Sequence, residues 1–485
     1  MNQLEIPSWC QIRASFKSIW GYEDFRFPQG EIIHNLLAHK DALIIMPTGG
    51  GKSICFQLPA LLQTGLTLVV SPLVALMENQ VAELQQKKLP VALLHSELPP
   101  WQRRKTLQAL EQQNLRLLYL SPETLLSPKV WEKLCHPQLK INALILDEAH
   151  CLVQWGDTFR PAYRRLGAVR KTLQKSKPPG TKISLAAFTA TADLEAQKVI
   201  QQVLQLQKPQ IYRLNPYRPN LHPKVSIAWT PRSRQQQLLS FIKEFVQGNS
   251  QQAGLVYVRT RRDSEELSTW LQNKGYITAS YHGGLDAEER RNIEAKWLNG
   301  TIPFVVCTSA FGMGINKPDV RWVAHYHAPL LLSEYVQEIG RAGRDGKPAR
   351  ALTLISEPTG WLDPEDKQRQ KFFSEKMRSQ LLSAQKLIKK IPVMGEVNAV
   401  AEKFTEGEVV LSLMHSMGKL EWLDPFKYRI KKCNSSGLST QLNAIGQTNQ
   451  YLMTKQCRWK FLLNAFGFNE QAQNLRCGHC DNCQR

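Results

Sequence analysis

The 485-residue chain has no apolar stretch approaching the ~18 residues that span a bilayer. Its opening, MNQLEIPSWCQIRASFK, has no apolar core followed by a small-residue cleavage site. A soluble, cytoplasmic protein with no membrane partner is therefore expected, nucleoid-associated if bacterial. Cysteines are too scattered for a disulfide framework: Cys10, Cys55, Cys135, Cys151, Cys307 and Cys433 stand alone, and only four gather near the C-terminus. Internal repeats are lacking as well. Negative charge is scarce, with 41 Asp plus Glu against 62 Lys plus Arg and a net charge of +21. That field suits a polyanion, nucleic acid before an anionic membrane surface. The excess is spread along the chain, which favours a binding groove over a basic tail. The length excludes a single core and predicts roughly three or four units.

Short apolar runs recur between amphipathic stretches: ALIIM, TLVVSP, RLLYLSP, ALILDE and ISLAAFTATA. These predict buried parallel strands. A second series, GLVYVRT, ITASYHG, FVVCTSA, VRWVAHYHAP and ARALTLIS, predicts a second α/β unit. LNPYRPNLHPK, residues 214–224, is rich in Pro and Asn and reads as the linker between them. After Ser356 the strand signals stop. Helices are expected near 371–390, 395–403 and 407–417, followed by a hairpin, KLEWL-DPF-KYRIKK. Helices leading to a hairpin rich in Lys427, Arg429, Lys431 and Lys432 suggest a winged-helix-like module; a helical spacer with a solvated charged face is the alternative. CNSSGLSTQLNAIGQTNQ reads as a flexible connection.

The chemistry starts in ALIIMPTGGGKS, residues 42–53, where an apolar strand enters a glycine turn ending in Lys and Ser. Around Thr48, the glycines Gly49, Gly50 and Gly51 let backbone N–H groups face phosphate oxygens. Lys52 adds a point charge, and Ser53 can hold Mg²⁺ at the helix start. Met46 stands where the full GxxxxGK[ST] pattern has Gly, so a glycine-rich turn with an exposed lysine is the competing reading. A second strand ends in Asp147-Glu148-Ala149-His150. Asp147 can hold Mg²⁺ through its water shell while Glu148 orients and deprotonates an attacking water. SLAAFTATAD contributes Thr189 and Thr191. QEIGRAGRDG contributes Gln337 as a γ-phosphate or water contact, with Arg341 and Arg344 as candidates for transition-state charge; a basic helix on phosphate backbone is the other reading of the arginines. Cys457, Cys477, Cys480 and Cys483 form a tetrahedral zinc signature, with His479 as a substitute ligand and a redox dithiol as the alternative.

Together these segments resemble the motif series of superfamily-two helicases, and in detail the RecQ family of DNA helicases, over most of the chain. Met46 is the residue that the RecQ form of the glycine turn carries. WGYEDFRFPQ, residues 20–29, resembles the family's adenine-recognition motif: Tyr22 and Arg26 would sandwich the base and Gln29 would bond its edge. AFGMGINKPDVR, with Asp319, is similar to a second-lobe signature, and SPLVALMENQV to a segment gripping the DNA backbone. CLVQWGDTFRPAY, residues 151–163, resembles the aromatic-rich loop coupling single-stranded DNA to hydrolysis. Trp155, Phe159, Arg160 and Tyr163 would stack on bases, with Gln154 nearby. The chain has Asp157-Thr158 where that loop usually has His-Asp. The four cysteines are similar to the family's zinc-binding subdomain.

The resemblance implies an α/β protein of two RecA-like parallel-sheet lobes followed by a helical, winged-helix-like module and a small zinc-binding subdomain. The expected limits are 1–214, 215–356, 357–456 and 457–485. It implies ATP, Mg²⁺ and Zn²⁺ as cofactors, single-stranded and partly duplex DNA as partner together with other repair or replication proteins, and 3′ to 5′ unwinding in recombination and repair. RecQ proteins commonly continue into a winged helix whose hairpin splits duplexes; the hairpin at 420–432 is the expected substitute. An RNA helicase, or an ATP-gated DNA-binding or annealing protein, would share the same engine.

Overall fold

The computed structural model describes residues 6–153, 161–247, 250–311, 317–431 and 439–484. Contacts group the chain into two compact units. One comprises Met1–Met46, Gly50–Leu214 and Ser379–Ser439; the other comprises Pro47–Gly49, Asn215–Arg378 and Thr440–Arg485. The first holds a seven-stranded parallel sheet: β1 (Ala42–Ile45), β2 (Leu66–Val70), β3 (Val91–Leu94), β4 (Leu117–Leu120), β5 (Ile141–Leu146), β6 (Ser184–Thr189) and β7 (Gln210–Arg213), in the order β3-β4-β2-β5-β6-β1-β7. Strands β1, β2, β4, β5 and β6 are buried at every residue, which is why each reads as a largely apolar run. Strands β3 and β7 were not anticipated; β7, QIYR, lies at the sheet edge with two exposed residues and shows no apolar pattern. Because β6 lies between β1 and β5, the segments after β1, β5 and β6 emerge at one sheet edge.

The second unit carries β8 (Leu221–Ala228), a small hairpin of β9 (Val246–Gln247) and β10 (Ser250–Gln251), then β11 (Gly254–Tyr257), β12 (Thr278–Tyr281), β13 (Phe304–Cys307), β14 (Trp322–His325) and β15 (Ala349–Ser356). Its parallel sheet runs β12-β13-β11-β14-β15-β8. Strand β8 corrects the linker reading, because half of it lies inside 214–224. Pro223 disguised it: proline is tolerated in a strand only at an edge, and β8 is the edge strand. The expected flexible stretch 433–450 is corrected from 439 onward, since Ser439–Met453 is a helix, while 433–438 lie outside the described residues. Its Ser, Asn and Gly content weakens helix propensity, but Tyr451 is fully buried against the ring of Tyr335 at 4.8 Å, so packing overrides it.

The region after the second sheet opens with a helix, Glu365–Ile388. Strand β16 (Met394–Glu396), helices Val397–Lys403 and Gly407–Ser416, and a hairpin of β17 (Leu420–Trp422) and β18 (Lys427–Ile430) follow. The antiparallel sheet has the order β16-β18-β17, so the succession of elements is that of a winged helix. The expected block 357–456 is shared between the units, 379–439 grouping with the first. Its core, including Val397, Val410, Leu411, Met414 and Tyr428, incorporates Ala168 of the first lobe. The hairpin turn is docked there too: Arg165 Nε donates to the Pro425 carbonyl at 2.7 Å, and Phe426 meets Trp131 edge-on at 5.2 Å. The hairpin expected at 420–432 is thus packed on the first lobe through its turn.

Candidate active site

Strand β1 delivers the buried Met46 to the glycine turn, where Gly49 has φ 83° and Gly51 φ 78°, both in the left-handed region that favours glycine. Helix Lys52–Leu62 starts at Gly51 with no side-chain cap, so its first N–H groups remain open to an anion. The Lys52 Nζ is buried and has no hydrogen-bond partner among the described residues. A buried ammonium with no hydrogen-bond partner, at an uncapped helix start, fits a polyphosphate. Gln29 ties the nucleobase motif to this turn: its Nε2 donates to the Gly50 and Gly51 carbonyls at 3.2 and 3.4 Å, and its Oε1 accepts from the Arg26 N–H at 2.9 Å. A Cβ on Gly51 would lie 2.3 Å from that Nε2. Tyr22 and Arg26 are exposed, as a planar ligand would need.

At the end of β5, Asp147 is buried and Glu148 has φ 50°, an uncommon conformation for a non-glycine residue that turns the chain sharply. Burial raises the Asp147 pKa, Glu148 raises it further, and Lys52 opposes both, so the lysine charge is felt at this carboxylate. His150, which sequence reasoning left out of the site, lies with Nδ1 3.2 Å from Glu148 Oε2 and 3.3 Å from Thr189 Oγ1. Thr189, fully buried, donates in turn to the Thr191 carbonyl at 3.0 Å. The signal was its place in the same tetrad as the two carboxylates. Burial acts to lower the His150 pKa, but Cys151 and Glu148 outweigh it and raise the value.

In the second unit, helix Leu332–Ile339 carries Gln337, and Arg341 and Arg344 follow it. The helix is anchored by Glu338, which accepts from Arg259 at 3.1 and 2.8 Å and lies 3.0 Å from His325 Nε2. Burial alone would raise Glu338; Arg259 and His325 overcome it and hold the carboxyl at about 2. Burial, then Arg341, lowers Arg344 to about 10, which leaves it charged at neutral pH. Of the aromatic-rich loop, Gln154, Trp155, Phe159 and Arg160 lie outside the described residues, as do 312–316 of the second-lobe signature. Tyr163 requires correction as a base-stacking residue: its side chain is fully buried in the first-lobe core and presents no ring face.

Near the C-terminus the ligand atoms of Cys457, Cys477, Cys480 and Cys483 all lie within 4.8 Å of one another. Backbone N–H groups of Arg458, Cys477 and Cys480 point at three of the sulfurs at 3.3 to 3.5 Å. Four sulfurs so placed fit a tetrahedral zinc ion. His479 turns instead toward the rings of Tyr217 and His222. Arg458 pairs with Asp481 inside the centre at 2.6 and 2.8 Å, and the centre is fastened to the second sheet by Trp459, whose Nε1 donates to the Leu221 carbonyl at 3.2 Å.

Family profiles match three consecutive regions: DEAD/DEAH box helicase at 27–199, helicase conserved C-terminal domain at 236–346, and RecQ zinc-binding at 426–484. The ATP-dependent DNA helicase RecQ of Synechocystis is 52% identical over 97% of this chain and 98% of its own length. The chain belongs to the RecQ family. Two further RecQ-family relatives are 37% identical: a probable ATP-dependent DNA helicase RecS from Bacillus subtilis, over 71% of this chain and 66% of that protein, and RecQ of Pasteurella multocida, over 76% and 56%. Among solved structures, Mss116p bound to ssRNA and AMP-PNP superposes with a TM-score of 0.60 at 20% identity, covering 73% of this chain and 74% of that one. Mycobacterium smegmatis Lhr bound to ssDNA and AMP-PNP gives 0.57 at 17%, covering 90% and 61%. These two likenesses place the RecQ lobes in a common two-lobed helicase fold.

Proposed function

We propose that this chain is an ATP-driven DNA helicase that moves 3′ to 5′ along single-stranded DNA and unwinds duplexes in recombination and repair. The observation that carries the reading is the buried, unpartnered Lys52 ammonium at an open helix start, with Asp147 and Glu148 at the same sheet edge. Lys52 and the N–H groups of the Thr48–Gly51 turn bind the phosphates, while Tyr22, Arg26 and Gln29 hold the adenine. Ser53 and Asp147 would hold Mg²⁺, which supplies positive charge to the phosphoryl oxygens when bound. Glu148 orients and deprotonates the attacking water, and its contact with His150 passes its position on to Thr189. Gln337, Arg341 and Arg344 of the second unit serve the transferring phosphoryl group. Zinc at the four cysteines is structural. We place this activity in the cytoplasm, on nucleoid DNA and alongside other repair proteins; no helix among the described residues is long and apolar enough to cross a membrane.

The test is strand displacement on forked duplexes with 3′ or 5′ tails, run with ATPase stimulation by single-stranded DNA and RNA. Unwinding from the 3′ tail and stimulation by DNA are expected, and both should vanish in Lys52→Ala. Normal hydrolysis by that variant would overturn the phosphate assignment; stimulation by RNA alone would make the substrate RNA.

A further inference from the structure

We propose that the turn formed by residues 357–363, with Trp361 at its apex, is a stacking post for the bases of single-stranded DNA. The inference deepens the helicase reading and rests on it. Strands β8 and β15 are parallel neighbours whose last residues, Ala228 and Ser356, are register partners, and the Glu357 N–H continues the ladder to the Ala228 carbonyl at 3.2 Å. Two tryptophans therefore leave the sheet at its C-terminal edge, the side on which open α/β sheets bind ligands. Trp229 is 58% exposed and Trp361 90%.

So exposed an indole would ordinarily sit on a loose loop, yet this turn is pinned from beneath. The buried Glu357 carboxylate accepts from the Thr359 N–H at 2.7 Å, the Thr359 hydroxyl at 2.6 Å and the Leu362 N–H at 3.0 Å. The next residue, Asp363, is fully buried on Arg234. The ring is held out in water by a built scaffold, which lowers the ordering cost of binding.

The surrounding charge selects the partner. Every acid here is engaged internally: Glu357 by the turn, Asp363 by Arg234, Glu365 by His327 at 2.9 Å, and Asp366 by the Ser356 N–H at 2.7 Å. Two bases face outward. Arg232 is exposed beyond Trp229, and Lys367 is exposed beside the turn, its Nζ 3.5 Å from the Thr359 carbonyl. Exposed aromatic faces beside exposed cations, on a chain of net charge +21, match a single strand, whose bases stack while its phosphates meet the cations.

The experiment measures binding of a fluorescein-labelled oligo(dT) 20-mer to the full chain by anisotropy. Trp361→Leu should weaken binding about fivefold or more, Trp361→Phe should keep most of the affinity, and Trp229→Leu should show a smaller loss. Thermal midpoints of the exposed-site variants should match that of the parent chain. Unchanged affinity in Trp361→Leu, with the parent chain binding normally, would refute the stacking post alone and leave the patch to a protein partner. Equal losses in the Leu and Phe variants would refute stacking in favour of shape. Failure of the parent chain to bind the oligonucleotide would sink the helicase reading itself.

Discussion

Replacing Arg234 by methionine should open the second unit at its edge strand. Arg234 is fully buried, and its guanidinium donates to Asp363 at 3.0 and 2.7 Å, to the Tyr326 carbonyl at 2.7 Å and to the Ser356 hydroxyl at 2.8 Å. Asp363 is equally buried, so removing its partner strands a carboxylate in the interior. Breaking a buried pair from one side costs about 3–5 kcal/mol, whereas replacing both partners by apolar groups is often neutral or better. Arg234→Met and Asp363→Leu should therefore each cost about 3–5 kcal/mol, and the double variant far less than their sum. A coupling energy of roughly 2 kcal/mol or more is expected. Hydrogen exchange on the full chain is the suitable assay, because amides of β8 and β15 report the local opening free energy where a two-unit protein has no single unfolding transition. Additive single effects, or single effects below about 1 kcal/mol, would show that water reaches the pair and that the clamp is not what holds β15 to the helix that follows.

Three further outcomes follow from the same structure. His415 is pushed down to about 3 by burial, with Arg164 and Lys431 adding to the effect. Its folded value lies below the unfolded ~6.5, so its stabilising contribution is complete above that pH and is lost as pH falls toward 3; between pH 7 and 5.5 the first unit should lose about 1 kcal/mol that His415→Gln does not lose, as read from hydrogen exchange of the amides around His415. Arg165→Ala removes the donor to Pro425 and the cation beside Phe426, and should speed protease cleavage within 379–439; unaltered cleavage would mean the docked hairpin is held by other contacts. Cys480→Ser should lower bound zinc well below one per chain and depress the thermal midpoint of the second unit, and full zinc retention in that variant would argue against the four-sulfur set.

The strands that carry chemistry were legible because they are central: β1, β5 and β6 are buried on both faces, so each is a largely apolar run that stops where a Gly, Asp or Thr begins the site. Edge strands β7 and β8 were not legible, since one side of each meets water or another element and their patterns are polar or interrupted by Pro223. The helix Ser439–Met453 owes its existence to Tyr451 and its burial on Tyr335, a tertiary contact that local propensity does not reveal. Site residues close to a glycine or an acidic pair announced themselves, whereas His150 and the Gln29 tether depend on distances that only folding creates. The docking of the hairpin turn is of the same kind: DPF reads equally well as a free tip and as a plug.

The four-cysteine centre has a consequence for the sheet it sits on. Strand β8 ends the second sheet, and its outward groups would otherwise form an open ladder. Pro223 offers no N–H on that side. Asp481 accepts from the Val225 N–H at 3.2 Å and its own N–H donates to the Pro223 carbonyl at 3.2 Å, while Trp459 takes the Leu221 carbonyl. The cysteine centre thus does the work of a missing neighbour strand, guarding against edge-to-edge self-association. Chains stripped of metal should first become sticky: turbidity rising with protein concentration, before the parallel sheet itself unfolds.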